Sequence, residues 1–391
     1  MIQKGSVRAR MLVGLAVVAT IAAACSSGSG SSVAPSGAAS GAASAAAAKY
    51  TIGFANGGGV GNGWRESSIC SAQAQAAASG EVSSVTVINH DTDAAGQLTD
   101  IRDLIAKKVN AIIINPNDPD ALNPAIAEAI KAGIVVVAID ASVTAPGAYN
   151  LSNDQEQYAY LGAKWLFEQL KGKGAVVYMR GIAGHPADTA RDVGFHKALT
   201  EFPGITIAKE VATKWDPATA TTQFNDIISS GVKFDGIWTS GVDKNIVDAM
   251  KTANFPLVPI VGADNSGFVT QLLTEKGLVG AAVTNPSAVA GAGMALALQI
   301  LDGKKPADTT VHVTPVLWDN ATDAGKAALT TAQNPKLNPL WPLGLTIKDW
   351  TTYTVDDLIA CKSVGQSTRP FRLSMREDAG SAGVLPSPHL R

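Results

Sequence analysis

Short, fully apolar runs recur along the chain, each closed by polar residues and followed by a stretch with helical spacing. Thr51–Ala55, Val85–Ile88, Ala111–Ile114 and Ile134–Ile139 read as strands in the first half. Ala175–Met179, Gly236–Ser240, Val258–Ala263 and Val279–Thr284 repeat the pattern in the second. Such runs lack the alternation of a half-exposed sheet, so helices are expected over both faces of parallel sheets. Those helices are expected at Trp64–Ser79, Leu98–Lys108, Ala121–Ala132, Gln155–Leu170, Pro186–Glu201, Asp243–Ala253, Gly267–Thr274 and Ser287–Leu301. Gly133 directly follows one of them, as a helix C-terminus favours. Repeated βα units of this length predict an α/β fold of doubly wound parallel sheets.

In such sheets ligands collect beyond the carboxyl ends of the strands. The polar residues after the apolar runs are Asn56 to Asn62, His90, Asp91, Asn115, Asp140, Arg180, Ser240 to Asp243, Asp264 and Asn285. Any one of them serves equally well as a cap or turn. Together they predict a cleft rich in hydrogen-bonding groups and carboxylates.

The two ends of the chain differ from this core. Lys4, Arg8 and Arg10 precede the apolar run Met11–Ala24, and Ala22-Ala23-Ala24 lead into Cys25. A run this short suits a signal segment better than a membrane span. Residues 1–24 are therefore expected to be a signal peptide, with Cys25 lipidated after cleavage. Ala22 departs from the lipoprotein pattern, which more often has Leu there. Residues 25–48, almost wholly Ser, Gly and Ala, are expected to be a leash with too little apolar surface to order itself. Residues 363–391 are expected to be a disordered tail.

About 310 residues remain, enough for two lobes. Apolar residues make up 46% and charged residues 16%, with a net charge of −2, so no nucleic-acid partner is expected. Of three cysteines, Cys70 and Cys361 remain once Cys25 is assigned to lipid. In an oxidising compartment a Cys70–Cys361 disulfide is plausible, and two separate thiols remain the alternative. No CxxC or Cys/His cluster points to a metal, and no cofactor is expected.

Several segments in this order resemble the ribose- and galactofuranose-type sugar-binding proteins of ABC importers. Ile113-Ile114-Asn115-Pro116-Asn117-Asp118-Pro119-Asp120-Ala121 is similar to that family's apolar strand running into an NPxDxxA turn. Val137-Ala138-Ile139-Asp140 and Val261-Gly262-Ala263-Asp264 are similar to its two strands ending in Asp. Gly181-Ile182-Ala183-Gly184 and Arg191-Asp192-Val193-Gly194-Phe195 resemble its G-x-x-G…R-x-x-G-F segment, and Asn62-Gly63-Trp64-Arg65 resembles the opening of the galactofuranose branch. The resemblance covers about Lys49 to Pro306.

It implies two α/β lobes joined by three crossover strands (the type I periplasmic-binding-protein arrangement). The first lobe would be 49–152 plus 286–312, and the second 153–285 plus 313–362. It implies sugar contacts from Asn62, Arg65, Asn115, Asp140, Arg191, Asp264 and Asn285, with Trp64 and Trp215 as aromatic plates. The implied ligand is a small sugar or polyol. The implied partner is an ABC permease, and the implied state is a monomer held at the membrane through its lipid anchor alone. A receptor presenting sugar to a signalling partner is the alternative.

The sequence also departs from the ribose branch. Ala141 stands where that branch has Arg, Ala263 replaces an aromatic, and Ser240-Gly241-Val242-Asp243 replaces an Asn-Asp pair. Arg65 suggests that hydroxyl recognition shifts toward the first loop.

Other chemistries fit less well. The Gly-rich stretch Asn56–Gly63 follows a strand, but no register of it spells GxGxxG, which excludes a dinucleotide fingerprint. No GxSxG occurs, and His90, His185, His196, His312 and His389 form no recognisable triad. Asp140 and Asp264 could act as an acid pair only if they faced each other. An enzyme is not expected. A transcriptional regulator of this core fold would carry a DNA-binding helix pair where the signal and leash stand.

Overall fold

The computed structural model describes residues 49–57 and 61–364. The expected signal segment, Cys25 and the leash lie outside the described residues, as does the expected tail from Gly365 onward. In chain order the elements are β1 (Tyr50–Gly57), α1 (Gly63–Ser79), β2 (Val82–His90), α2 (Ala94–Ala106), β3 (Ala111–Asn115), α3 (Asn123–Lys131), β4 (Val135–Asp140) and β5 (Tyr149–Asn153). There follow α4 (Gln155–Gln169), β6 (Lys173–Arg180), α5 (Pro186–Glu201), β7 (Gly204–Ala212), α6 (Pro217–Ser229), β8 (Gly236–Trp238), α7 (Asp243–Thr252), β9 (Ile260–Ala263), α8 (Ser266–Thr274) and β10 (Gly280–Val283). The last are α9 (Val289–Leu301), β11 (Thr310–Val313), β12 (Leu317–Asp319), α10 (Asp323–Ala332) and α11 (Val355–Ala360).

The strands form two six-stranded sheets of matching order, β2-β1-β3-β4-β5-β11 and β7-β6-β8-β9-β10-β12. All neighbours run parallel except β12, which lies antiparallel to β10. The absence of polar alternation has a direct cause. In β3, Ala111 and Ile113 enter one core and Ile112 and Ile114 another, so both faces are buried. Val177 and Met179 of β6 likewise face away from Val176 and Tyr178. Each lobe is therefore a sheet between two helical layers, the doubly wound arrangement that the sequence predicts.

The chain passes between lobes after β5, after β10 and after β11, giving the three expected crossovers, and a fourth time beyond α10. Each sheet has its topological switch where β1 meets β3 and where β6 meets β8.

The expected lobe boundaries need correction at the C-terminus. The segment expected to finish the second lobe at residue 362 returns to the first. Ile347, Trp350 and Val364 pack on the first-lobe core, so Val364 also falls outside the disordered tail expected from 363. Tyr353 Oη lies 2.8 Å from Ser71 Oγ of α1, and Thr352 N–H donates to Gln75 Oε1 at 2.8 Å. Cys70 and Cys361 are joined as a disulfide between α1 and the residue after α11. The physical reason is apolar: Leu345, Tyr353 and Leu358 find their buried partners on α1, beside Cys70 and Ala74.

Candidate functional site

The carboxyl ends of the two sheets face each other across a cleft with a cavity of about 50 Å³. All nine residues implied by the family resemblance line it: Asn62, Trp64, Arg65, Asn115, Asp140, Arg191, Trp215, Asp264 and Asn285. A wider opening of about 340 Å³ beside the crossovers shares Asp140 and is otherwise lined by residues such as Ser142, Asp154, Glu156 and His312.

Asp140 closes β4 with a left-handed backbone, φ 66°, which Asp tolerates better than most side chains. Only Oδ1 is occupied by the fold. It accepts from Asn153 Nδ2 at 3.0 Å and from Gln155 Nε2 at 2.7 Å. Burial pushes its pKa up, and Arg191, Asn153 and Arg65 oppose that shift. Oδ2 accepts no hydrogen bond among the described residues.

Arg191 projects from α5. Its Nε donates to Gln155 Oε1 at 2.8 Å, and its guanidinium lies 4.3 Å from the Tyr158 ring centroid and 5.5 Å from that of Trp215. With its carboxamide oxygen toward these donors, Asn285 accepts from Arg191 Nη2 at 3.1 Å. Gln155 thus links Asp140 to Arg191, although they come from different lobes.

Arg65 enters from the first turn of α1, where Asn62 caps the helix by accepting from Arg65 N–H at 3.0 Å. Its guanidinium is buried, which lowers its pKa to about 10 despite Asp140 and Asp91. Nη2 lies 3.4 Å from His185 Nε2, and Nη1 has no partner among the described residues. Burial and the two nearby arginines hold His185 well below its ordinary pKa, so it is neutral at pH 7. Asn115, at the end of β3, donates to Asn56 Oδ1 at 3.2 Å, while its own Oδ1 has no partner among the described residues.

The aromatic plates are anchored differently. Trp64 Nε1 donates to the Asn285 carbonyl at 2.7 Å. Trp215 has φ 53° and donates from Nε1 to Ser240 Oγ at 3.2 Å. Its indole crosses Gly181, where an added Cβ would stand 2.0 Å from Cε2, so this close approach requires glycine. Asn62 Nδ2 donates to the Trp215 carbonyl at 3.3 Å, tying the first lobe to the second across the cleft.

Asp264 follows β9 and is fully buried. Oδ1 accepts from Asn285 N–H at 2.9 Å and Oδ2 from Gly344 N–H at 3.1 Å. Burial pushes its pKa up to about 6 against the pull of these N–H groups. Its neighbour Asp243 is pushed up to about 7 for the same reason, while accepting from Asn265 Nδ2 at 2.9 Å and Gly241 N–H at 3.1 Å.

The cleft also holds residues that sequence reasoning missed. Pro217 opens α6, Asn265 follows Asp264, and Leu340 and Pro342 come from the C-terminal segment. Asn265 adjoins Asp264, and Pro217 stands two residues after Trp215. Nothing in the sequence marks Leu340 or Pro342. Among the described residues no group of three or more His, Cys, Asp or Glu could hold a metal, and no helix is long and apolar enough to cross a membrane.

Comparison with known proteins adds to this geometry. Residues 52–305 match the model of a periplasmic binding protein domain. The chain is 26% identical over 254 residues to the xylitol-binding protein of Mycolicibacterium smegmatis, covering 64% of this chain and 73% of that one. It is 24% identical over 225 residues to a ribose import binding protein of Bacillus subtilis, covering 56% and 72%. An ABC transporter solute-binding protein from Thermobispora bispora superposes with a TM-score of 0.67 at 28% identity, covering 75% of this chain and 90% of that one. These relatives are binding proteins rather than enzymes, in keeping with the expectation from sequence. The domain match spans more than half of the sequence, and the chain belongs to the periplasmic binding protein domain family.

Proposed function

We propose that this protein is an extracytoplasmic solute-binding lipoprotein that captures a small sugar or polyol between its lobes and delivers it to an ABC-type permease. One observation carries the ligand reading: the cleft holds a buried donor, Arg65 Nη1, and a buried acceptor, Asn115 Oδ1, both without partners among the described residues. A hydroxyl group donates and accepts at once and satisfies both kinds of group. Asp140 Oδ2 adds a charged acceptor and the two tryptophans add apolar plates for C–H faces. Xylitol and ribose, for which these relatives are named, have this mixed surface.

Hydrogen bonds to charged groups contribute roughly 1.5–3 kcal/mol each. Three or four of them, less the immobilisation cost, reach the roughly 8 kcal/mol of a micromolar complex. Sugar bridging Asp140 and Arg191 stabilises the closed form, and release requires the lobes to swing about the crossovers. Cys25 would tether the protein to the membrane, and the monomer would meet the permease in its closed form.

A thermal-shift screen over pentoses, hexoses, furanosides and polyols tests the reading. A ligand specific to the native state at about a thousand times its Kd adds about 4 kcal/mol and raises Tm by several degrees. A panel that leaves Tm unmoved throughout contradicts it.

A further inference from the structure

The C-terminal segment contributes a wall to the cleft from beyond the residues that match the family domain, which end at 305. Between Asn334 and Gly344 its backbone is bonded to the second lobe. Ser266 N–H donates to the Trp341 carbonyl at 2.9 Å, and Gly267 N–H to the Pro339 carbonyl at 2.8 Å. Its side chains go the other way: Leu337 and Trp341 bury with Cys70 and Ala74 of α1 in the first lobe. The segment is a wedge held on both sides of the cleft, and the Cys70–Cys361 disulfide fixes its far end.

From Leu340 to Gly344 every N–H is already used. Leu340 N–H donates to Asn338 Oδ1 at 2.9 Å, and Trp341 N–H to the Asn338 carbonyl at 2.9 Å. Pro342 has no N–H. Leu343 and Gly344 donate to Asp264, at 3.0 Å to its carbonyl and 3.1 Å to its Oδ2. The Leu340 carbonyl is pressed against Gly63, where an added Cβ would stand 2.3 Å from that oxygen. The indole N–H of Trp341 is turned to Glu66 Oε2 at 3.4 Å. Leu340 and Pro342 therefore present C–H surface to the cavity, with no backbone donor left for a hydroxyl.

Resting on the sugar-binding reading above, we propose that Leu340 and Pro342 are specificity-determining residues that select a carbohydrate with a deoxygenated carbon facing them. A hydroxyl placed there gives up its water donors and finds no N–H in their place. Apolar walls reject an added hydroxyl by up to about a hundredfold, which sets the scale of the effect.

Isothermal titration of the full chain with matched pairs tests this: D-fucose against D-galactose, L-rhamnose against L-mannose, and 5-deoxy-D-ribose against D-ribose. The wall predicts at least one pair in which the deoxy member binds about tenfold or more tightly. Leu340→Ser should bring that ratio close to one, with Pro342→Ser as a second variant and Tm confirming that each is folded. An unchanged ratio in both folded variants overturns the wall. So does a wild type that binds carbohydrates of the thermal-shift panel only in fully hydroxylated form, and either result leaves the binding function standing. A wild type that binds no carbohydrate overturns both.

Discussion

Two aspartates end equivalent strands in the two lobes, and the structure uses them differently. Asp140 at the end of β4 is held on Oδ1 by the side chains of Asn153 and Gln155, and Oδ2 is left for the cleft. Asp264 after β9 is held on both oxygens by the backbone N–H groups of Asn285 and Gly344. One carboxylate is presented by the fold, and the other is consumed in tying a crossover to the C-terminal wedge. The same short motif, an apolar strand ending in Asp, therefore leaves one carboxylate oxygen without a partner among the described residues in one lobe and engages both oxygens in the other.

The largest test breaks the wedge that occupies Asp264. The Cys70–Cys361 link spans 291 residues of sequence. Replacing both cysteines by Ser should cost about 2–5 kcal/mol of stability in urea unfolding. A change below about 0.5 kcal/mol would mean that the wedge is held without it.

Conservative substitutions then separate the two carboxylates. Asp264→Asn points an amide at a backbone N–H that needs an acceptor, and should cost about 1–3 kcal/mol of stability. Asp140→Asn keeps an oxygen for Asn153 and Gln155, so Tm should move little while sugar affinity falls about tenfold or more, or about 1.4 kcal/mol. If both variants lost affinity equally with unchanged unfolding, the distinction between them would fail.

The remaining test is in pH. Burial raises Asp264 to about 6 and Asp243 to about 7. Between about pH 4 and 7 the unfolded chain has released these protons while the folded chain still holds them. Their contribution therefore makes stability fall as pH rises through that window. Asp243→Asn should flatten this part of the profile in Tm measurements from pH 4 to 8, and a slope identical to wild type would contradict the assignment.

Much of this was legible in the sequence because both faces of the central strands are buried. Ala111–Ile114 and Val135–Ile139 could not be anything but apolar, and the first polar residues after them, Asn115 and Asp140, fall in the cleft. Elements with weaker apolar signatures escaped notice. β7 is an edge strand, Gly204–Ala212, with Lys209 and Glu210 among its residues. β5, Tyr149–Asn153, is buried yet carries Asn150, Ser152 and Asn153, whose amides serve neighbouring loops and Asp140. α6 is rich in threonine.

The wedge was least legible. Leu337, Trp341 and Leu345 stand four residues apart, yet Pro335, Pro339 and Pro342 bar the helix that this spacing suggests, and their burial depends on α1, more than 260 residues before Leu337. The partners of Asp264 were hidden for a related reason: backbone N–H groups carry no residue identity.

The most direct test is a crystal structure grown with the carbohydrate that gives the largest thermal shift. The account predicts density between the lobes, with hydroxyls within hydrogen-bond reach of Asp140 Oδ2, Arg65 Nη1 and Asn115 Oδ1. Density that avoids these three groups, or that lies outside the shared cleft, would contradict it.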